Sequence, residues 1–494
     1  MKKTAAIALM LALCLLAAAA QALSVTGFES DIVERNWEKN AFFSRMQELT
    51  GIAVSPAGIA EESEYSDLLN RMLKGDVQTD VLFKADLTRE QEKKLLDGGA
   101  IIDLSALIDA HMPNLSALLA ENPQWREIIS LDDGRIVSLP LINPRERQVM
   151  LWINRAWLEQ LGLDMPRTLD ELTQALLAIR SGDPNGNYKQ DEIAADLMGV
   201  FEMRWLLPYF GVVADDYNLA RDAQGKIVFA PEMEQYRAFV ELLRDWYDCG
   251  ILTRDAFISS HSAAMLSEQD EDAPPTSGLL LSMTPYTHIP AEHIADYEAL
   301  LLPGPDGRVR WRDFLGSVWT GCFAVTGACT QVEEALRWAD ALYGEEGALL
   351  AYGGVEGEDY AFDEAGRWSF MTDNWRDVNS FRAEVLIYTG TPAPGLYPAA
   401  FVESVDSEPD RHVFEANARA LAVCERVTQP YCLSAEKQAR ADELALVLGE
   451  MVDRGIARFA TGEVELSDET YAAWLDKLRA AGSGELAALF ANAQ

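Results

Sequence analysis

Positive charge is what this sequence has least of for its size. Only 41 of its 494 residues are Lys or Arg, against 79 Asp or Glu, for a net charge of −38 at pH 7. Nucleic-acid binding requires a basic surface to neutralise phosphates, so this balance argues against that class of partner and against docking on anionic lipid. Histidine is scarce as well: the five His are scattered, and no Cys/His cluster has zinc spacing. Six cysteines are present, one of them (Cys14) near the N-terminus. The other five are Cys249, Cys322, Cys329, Cys424 and Cys432, an odd number that leaves at least one thiol unpaired. The spacings 322–329 and 424–432 would allow small closed loops, but buried thiols acting as small hydrophobes are the simpler expectation. Beyond the N-terminal segment no apolar run reaches the length of a membrane-spanning helix. A nucleophile elbow, an HExxH pair and internal repeats are likewise missing.

The first 22 residues read as an export signal: Lys2 and Lys3, an apolar run from Ala5 to Ala20, then the small-x-small site Ala20-Gln21-Ala22. The mature chain is expected to begin near Leu23 and to be periplasmic or secreted. Lipid attachment at Cys14 is the alternative, although Leu13 stands where a small residue is wanted. Hydrophobic residues make up 49% of the chain, enough for real cores, and the length calls for two or more lobes.

What the chain does have is a stretch rich in evenly spaced oxygens, Asp183-Pro-Asn-Gly-Asn-Tyr-Lys-Gln-Asp-Glu192. Asp183, Asn185 and Asn187 occupy the first, third and fifth places of an EF-hand-like loop, and the carbonyl of Lys189 falls at the seventh. Asp191 and Glu192 follow, so the bidentate acid arrives earlier than the motif asks. Tyr188 stands where the motif wants Gly. The full EF-hand rule therefore fails and a shortened calcium loop is expected. The alternative is a metal-free connector built from Asx turns.

Around this loop the pattern alternates between strand and helix. Val25–Glu29, Ile52–Val54 and Asp80–Phe83 read as strands, and Asn36–Leu49, Tyr65–Leu73 and Glu90–Leu96 as helices. This βαβα order implies a parallel sheet covered by helices, with ligands beyond the carboxyl ends of its strands. Asp132-Asp133-Gly134 reads as a hairpin turn that feeds a strand over Ile136–Leu141. Thr168 and Glu171 form a capping box for a helix over Leu169–Ile179 that runs into the calcium loop. The C-terminal third is mostly helical, over Phe414–Val427, Ala435–Phe459 and Thr470–Leu478. Trp157, Trp246, Trp338 and Trp474 lie inside amphipathic helices, where core packing is expected.

Several short stretches then match one family in a shared order: Thr50-Gly-Ile52, Gly75-Asp-Val-Gln-Thr-Asp80, Trp157-Leu-Glu-Gln-Leu-Gly-Leu163, the oxygen-rich loop, Leu302-Pro-Gly-Pro-Asp-Gly307, Tyr352-Gly-Gly-Val-Glu-Gly357 and Arg458-Phe-Ala-Thr-Gly462. Through them the chain resembles the extracellular solute-binding proteins of carbohydrate ABC importers, above all the long-chain members that include alginate-oligosaccharide binders. The resemblance implies a two-lobed α/β periplasmic-binding-protein fold with three hinge crossings and a helix-rich C-terminal region. Transferred here, one lobe takes residues 23–145 and 320–430, the other 146–319 and 431–494. The crossings fall near 142–149, 315–322 and 427–433. The family binds sugar in a cleft, closes on it, docks on a membrane permease and performs no chemistry. It also implies a monomer, with a structural Ca2+ held by Asp183, Asn185, Asn187, Lys189, Asp191 and Glu192, away from the sugar.

Sugar rings present C–H faces that stack on aromatics, while acids and amides fix their hydroxyls. The family places aromatics in the loops corresponding to Trp205 and Tyr286. Trp37 opens the first helix, Trp319 lies at the second crossing, and Trp375 follows a Gly-rich segment. These five are the expected stacking residues. Arg204, beside Trp205, is the candidate for holding a uronate. The competing functions are a secreted glycoside hydrolase or lyase using paired carboxylates, and a surface glycan-docking protein that feeds no permease.

Overall fold

A computed structural model describes residues 22–29, 36–131, 133–145, 148–257, 274–283, 285, 288–313, 318–364, 368–371, 378–388, 390–427, 433 and 435–491. The N-terminal segment through residue 21, Cys14 included, lies outside these, as do Tyr286, Trp375 and Cys432. Ten strands build the two main sheets: β1 Leu23–Glu29, β2 Val54–Glu61, β3 Val81–Phe83, β4 Leu139–Ile142, β5 Met150–Asn154, β6 Ile193–Asp196, β7 Ser277–Ser282, β8 Tyr297–Leu300, β9 Val318–Val325 and β10 Gly395–Leu396.

The chain separates into two compact units. Met1–Arg145 joins Gly316–Val405 in the first, and Glu146–Leu315 joins Asp406–Gln494 in the second. The third division falls between Val405 and Asp406, whereas the resemblance placed it near 427–433. The helix Glu408–Leu421 explains the difference, because its Val413 and Ala416 are buried in the core of the second unit.

The first unit carries a six-stranded sheet in the order β10-β4-β9-β3-β1-β2. β1 runs parallel to β2 and β3, β9 runs antiparallel to β3 and β4, and β10 runs parallel to β4. The carboxyl ends of β1, β2, β3, β4 and β10 therefore share one edge with the start of β9. Gly27 is required where β1 meets β3, since a Cβ there would stand 1.7 Å from the carbonyl oxygen of Phe83. The core is aromatic: Phe43 stacks on Trp338 at 6.3 Å, and Phe83 meets the same indole edge-on at 5.8 Å.

The second unit has a four-stranded sheet, β8-β5-β7-β6. β6 and β7 are parallel, and β5 is antiparallel to β7 and β8, so β6, β7 and β8 end where β5 begins. Trp246 joins two helices through its indole N–H, which donates to Thr173 Oγ1 at 2.9 Å. That bond satisfies the one polar atom of a fully buried ring. Trp157, Trp338 and Trp474 are core residues too, as the helical spacing requires.

Local detail departs from the sequence reading where side chains intervene. The first helix begins at Ala41, because Asn40 accepts the N–H of Phe42 as its cap, and Trp37 sits in a separate 3-10 turn. Thr168 caps Leu169–Ser181 as expected, but Glu171 accepts from the N–H of Arg167 at 2.7 Å, one residue outside the box. The turn before Gly134 closes between Leu131 and Arg135, yet it follows the helix Pro123–Ile129 and joins no strand pair. The helix expected over Phe414–Val427 is Glu408–Leu421, and Glu425–Val427 forms a strand with Arg310–Arg312. Cys249, Cys322 and Cys329 are free thiols. Among the described residues no helix is long and apolar enough to cross a membrane.

Candidate functional site

The oxygen-rich loop follows the helix Leu169–Ser181 and leads into β6. Asp183 accepts from two backbone N–H groups, Asn187 to Oδ1 at 3.1 Å and Tyr188 to Oδ2 at 3.0 Å. Asn185 Oδ1 accepts from Asn187 N–H at 3.1 Å, and Asn187 Oδ1 from Lys189 N–H at 2.8 Å. These are Asx turns. Both amide Nδ2 groups, of Asn185 and Asn187, donate to Asp191 at 3.0–3.1 Å. Tyr188 takes the left-handed conformation (φ +63°) that the EF-hand assigns to Gly, with its side chain 95% exposed. Glu192 differs from its neighbours: both carboxylate oxygens are enclosed, and only the backbone N–H groups of Glu192 itself and of Asn185 stand near them, without a well-formed hydrogen bond. Burial raises its pKa, the backbone N–H of Glu192 itself opposes the rise, and the charges of Asp191 and Asp183 add to it. Among the described residues no three His, Cys, Asp or Glu side chains converge in metal-holding geometry. Two of the loop's five candidate side-chain ligands, Asn185 and Asn187, are amides, whose oxygens and nitrogens exchange places by a flip.

At the carboxyl edge of the first unit's sheet, Glu29 ends β1 and Lys84 follows β3. Lys84 is fully buried, its Nζ 2.9 Å from Glu29 Oε2 and 2.8 Å from the carbonyl of Ile387. Its ammonium lies 5.3 Å from the ring centre of Trp37, a cation–π contact. Tyr65 donates to the carbonyl of Ala85. Next to it Asp86 adopts φ +43°, and burial raises its pKa. Trp319 lies near the start of β9, opposite Leu141, and is half-buried.

At the matching edge of the second unit, the segment after β6 carries Phe201, Glu202, Arg204 and Trp205. Trp311 pins this segment to the sheet: its indole N–H donates to the carbonyl of Val149, just before β5, and its ring tilts on Trp205 at 5.4 Å. Tyr209 donates to Leu300, the last residue of β8. Burial pushes Glu202 up to about 7, with the charge of Asp196 adding to it against the N–H of Met198. His288, beyond β7, has its pKa lowered by burial while Asp196 pulls it back. Trp205, Phe201, Arg204, Asp215 and Arg312 surround a small hollow. Phe201 is 45% exposed.

Of the expected stacking residues, Trp319 stands half-buried at a sheet edge. Trp37 and Trp205 are 7% and 3% exposed and belong to the cores of their units, Trp37 against Phe43 and Phe83 and Trp205 against Trp311. Arg204, expected to be available to a uronate, is already engaged with Asn218 at 2.6 Å. The reading missed Phe201, Glu202 and the Glu29–Lys84 pair. For Phe201 a signal existed, since it opens the segment that follows a buried strand.

No protein-family model matches the chain. In sequence it is 29% identical over 242 residues to the fructooligosaccharide ABC transporter substrate-binding protein FusA of Streptococcus pneumoniae, a match covering 46% of this chain and 44% of FusA. The aligned part is thus less than half the length of that relative. In structure it superposes on FusA in complex with kestose with a TM-score of 0.67 and 20% identity, over 95% of this chain and 98% of FusA. An EF-hand mutant of FusA in complex with fructo-nystose matches equally well. An HMO-binding, ABC-transporter-associated solute-binding protein from Bifidobacterium longum infantis gives a TM-score of 0.74 at 17% identity, over 95% of this chain and 97% of that one. The chain thus has the two-lobed α/β fold of the solute-binding proteins, and its relatives in sequence and structure are sugar-binding proteins of ABC transporters.

Proposed function

We propose that this protein is the substrate-binding component of a carbohydrate ABC importer, which captures an oligosaccharide and hands it to a membrane permease without breaking any bond. The observation that carries the reading is the kinship with FusA together with two α/β units, each presenting aromatic and acidic side chains at the carboxyl edge of its sheet. Such edges are where open α/β sheets take ligands. Trp319 and Phe201 are the stacking surfaces on this reading, with Tyr286 and Trp375 retained from the sequence. The protein acts outside the membrane as an exported monomer, periplasmic, secreted or tethered through Cys14.

The same reading assigns Ca2+ to the loop 183–192. Side-chain oxygens of Asp183, Asn185, Asn187, Asp191 and Glu192 would hold it, with the carbonyl of Lys189. The enclosed oxygens of Glu192 support this, because they have no well-formed hydrogen bond and a hard cation would satisfy them better than the nearby backbone N–H groups do. The role is structural: the ion ties the end of Leu169–Ser181 to β6.

A thermal-shift screen against a glycan panel tests the function, since a ligand that binds only the native state raises apparent stability by mass action. A neutral or acidic oligosaccharide should raise the melting temperature and be recovered intact. Shortened or unsaturated products would establish a hydrolase or lyase instead.

A further inference from the structure

We infer that Asn185 is a site of spontaneous deamidation, which the metal-free loop is arranged to undergo and a bound cation suppresses; the second half rests on the calcium assignment above. Asn185-Gly186 is the one Asn-Gly pair of the sequence. Ring closure needs the peptide nitrogen after an asparagine to attack that side chain's own carbonyl carbon. Glycine obstructs this approach least, because it has no Cβ. Gly186 is exposed with φ +70°, and a Cβ placed on it would meet nothing within 4 Å. Its N–H donates to the carbonyl of Asp183 at 3.2 Å, a bond that must open first.

The side chain is already folded back for the reaction. Asn185 Oδ1 accepts the N–H of Asn187 at 3.1 Å, an Asx turn that curls Cγ toward the intervening peptide nitrogen of Gly186. The same N–H faces the oxygen on which negative charge develops during the attack. Asn185 Nδ2, the leaving nitrogen, donates to Asp191 Oδ1 at 3.1 Å. These two partners also fix which way the amide points, since a carboxylate takes the nitrogen and an N–H takes the oxygen. In the first step the Gly186 nitrogen loses its proton and bonds to Cγ, the Cγ–Nδ2 bond breaks, and Nδ2 leaves as ammonia with a proton that the Asp191 carboxylate can relay. Water then opens the succinimide at either carbonyl, giving aspartate or isoaspartate. Both products put a carboxylate in place of the amide at the loop's third position, and isoaspartate also lengthens the main chain by one carbon. When Asn185 Oδ1 and Asp191 ligate a cation, the carboxylate is drawn off the leaving nitrogen and the amide is held in place.

Ageing of the full chain at neutral pH, in EDTA or in Ca2+, tests this. Mass spectrometry of the tryptic fragment Ser181–Lys189, set against an unaged control, reads the exchange of amide for acid. Conversion at Asn185 with an isoaspartate fraction is expected in EDTA, slowed at least about threefold by Ca2+. In EDTA, Asp191→Asn should also slow it at least about threefold, with melting in EDTA showing that the variant is folded. Absence of conversion in EDTA over a time in which the urea-unfolded chain converts overturns the inference, because the fold then shields the amide. An Asp191→Asn rate equal to that of wild type overturns the arrangement described. Equal rates in EDTA and Ca2+ overturn the suppression where EDTA lowers the melting temperature; where it does not, the calcium assignment fails and conversion at Asn185 stands alone. None of these outcomes bears on the import-receptor reading.

Discussion

Replacing Glu202 by Gln should stabilise the protein at alkaline pH and leave it unchanged at acidic pH. Glu202 is mostly buried behind β6, and its carboxyl is raised from 4.5 to about 7, chiefly by burial and further by Asp196. A raised acid makes its contribution while protonated: it is fully present below about 4.5 and is lost as pH rises through about 7. Each pH unit of displacement corresponds to about 1.4 kcal/mol, so ionised Glu202 costs the native state up to about 3 kcal/mol at pH 8. Gln keeps an acceptor for the N–H of Met198, which Glu202 binds at 2.7 Å, and carries no charge. Urea unfolding of wild type and Glu202→Gln at pH 4.5 and pH 8, followed by the fluorescence of the nearby tryptophans, reads the difference directly. A gain of about 1–3 kcal/mol at pH 8 that vanishes at pH 4.5 is expected. The same gain at both pH values would trace to packing and refute the electrostatic argument. No gain at pH 8 would mean that solvent reaches the carboxylate.

Chelation by EDTA should lower the melting temperature of the calcium-loaded protein, and Glu192→Gln should remove most of that response. An EDTA-insensitive melt in wild type refutes the metal assignment. Lys84→Met should destabilise the first unit by about 3–5 kcal/mol in denaturant, because it strands the buried carboxylate of Glu29; adding Glu29→Gln should recover part of the loss, and a single-variant cost below about 1 kcal/mol contradicts burial of the pair. Tyr188→Gly should be nearly neutral, within about 0.5 kcal/mol by thermal melting. The strain of a left-handed non-glycine residue and the extra unfolded-state entropy of Gly offset each other at about 1 kcal/mol apiece.

How far the sequence could be read depended on the range of the interaction. Helix caps at Thr168 and the apolar faces of the Trp157, Trp246, Trp338 and Trp474 helices were legible because each is written within a few residues. The donor spacing from Asp183 to Glu192 was legible for the same reason. The left-handed turn at Tyr188 was not, because it runs against that residue's own preference and is imposed by the N–H groups that Asp183 gathers.

The sequence alone determined the alternation of strand and helix, the acidic character that argues against nucleic acid, and the oxygen ladder of the loop, since periodicity, charge and short spacing are local properties. Tertiary structure decided which aromatics remain available to a ligand. Trp37 and Trp205 have the same residue type and local context as a stacking platform, but Phe83 and Trp311, brought from distant positions, cover them. It likewise decided that Arg204 is spent on Asn218 and Asp453, because the partners of a charge are chosen in space and not along the chain.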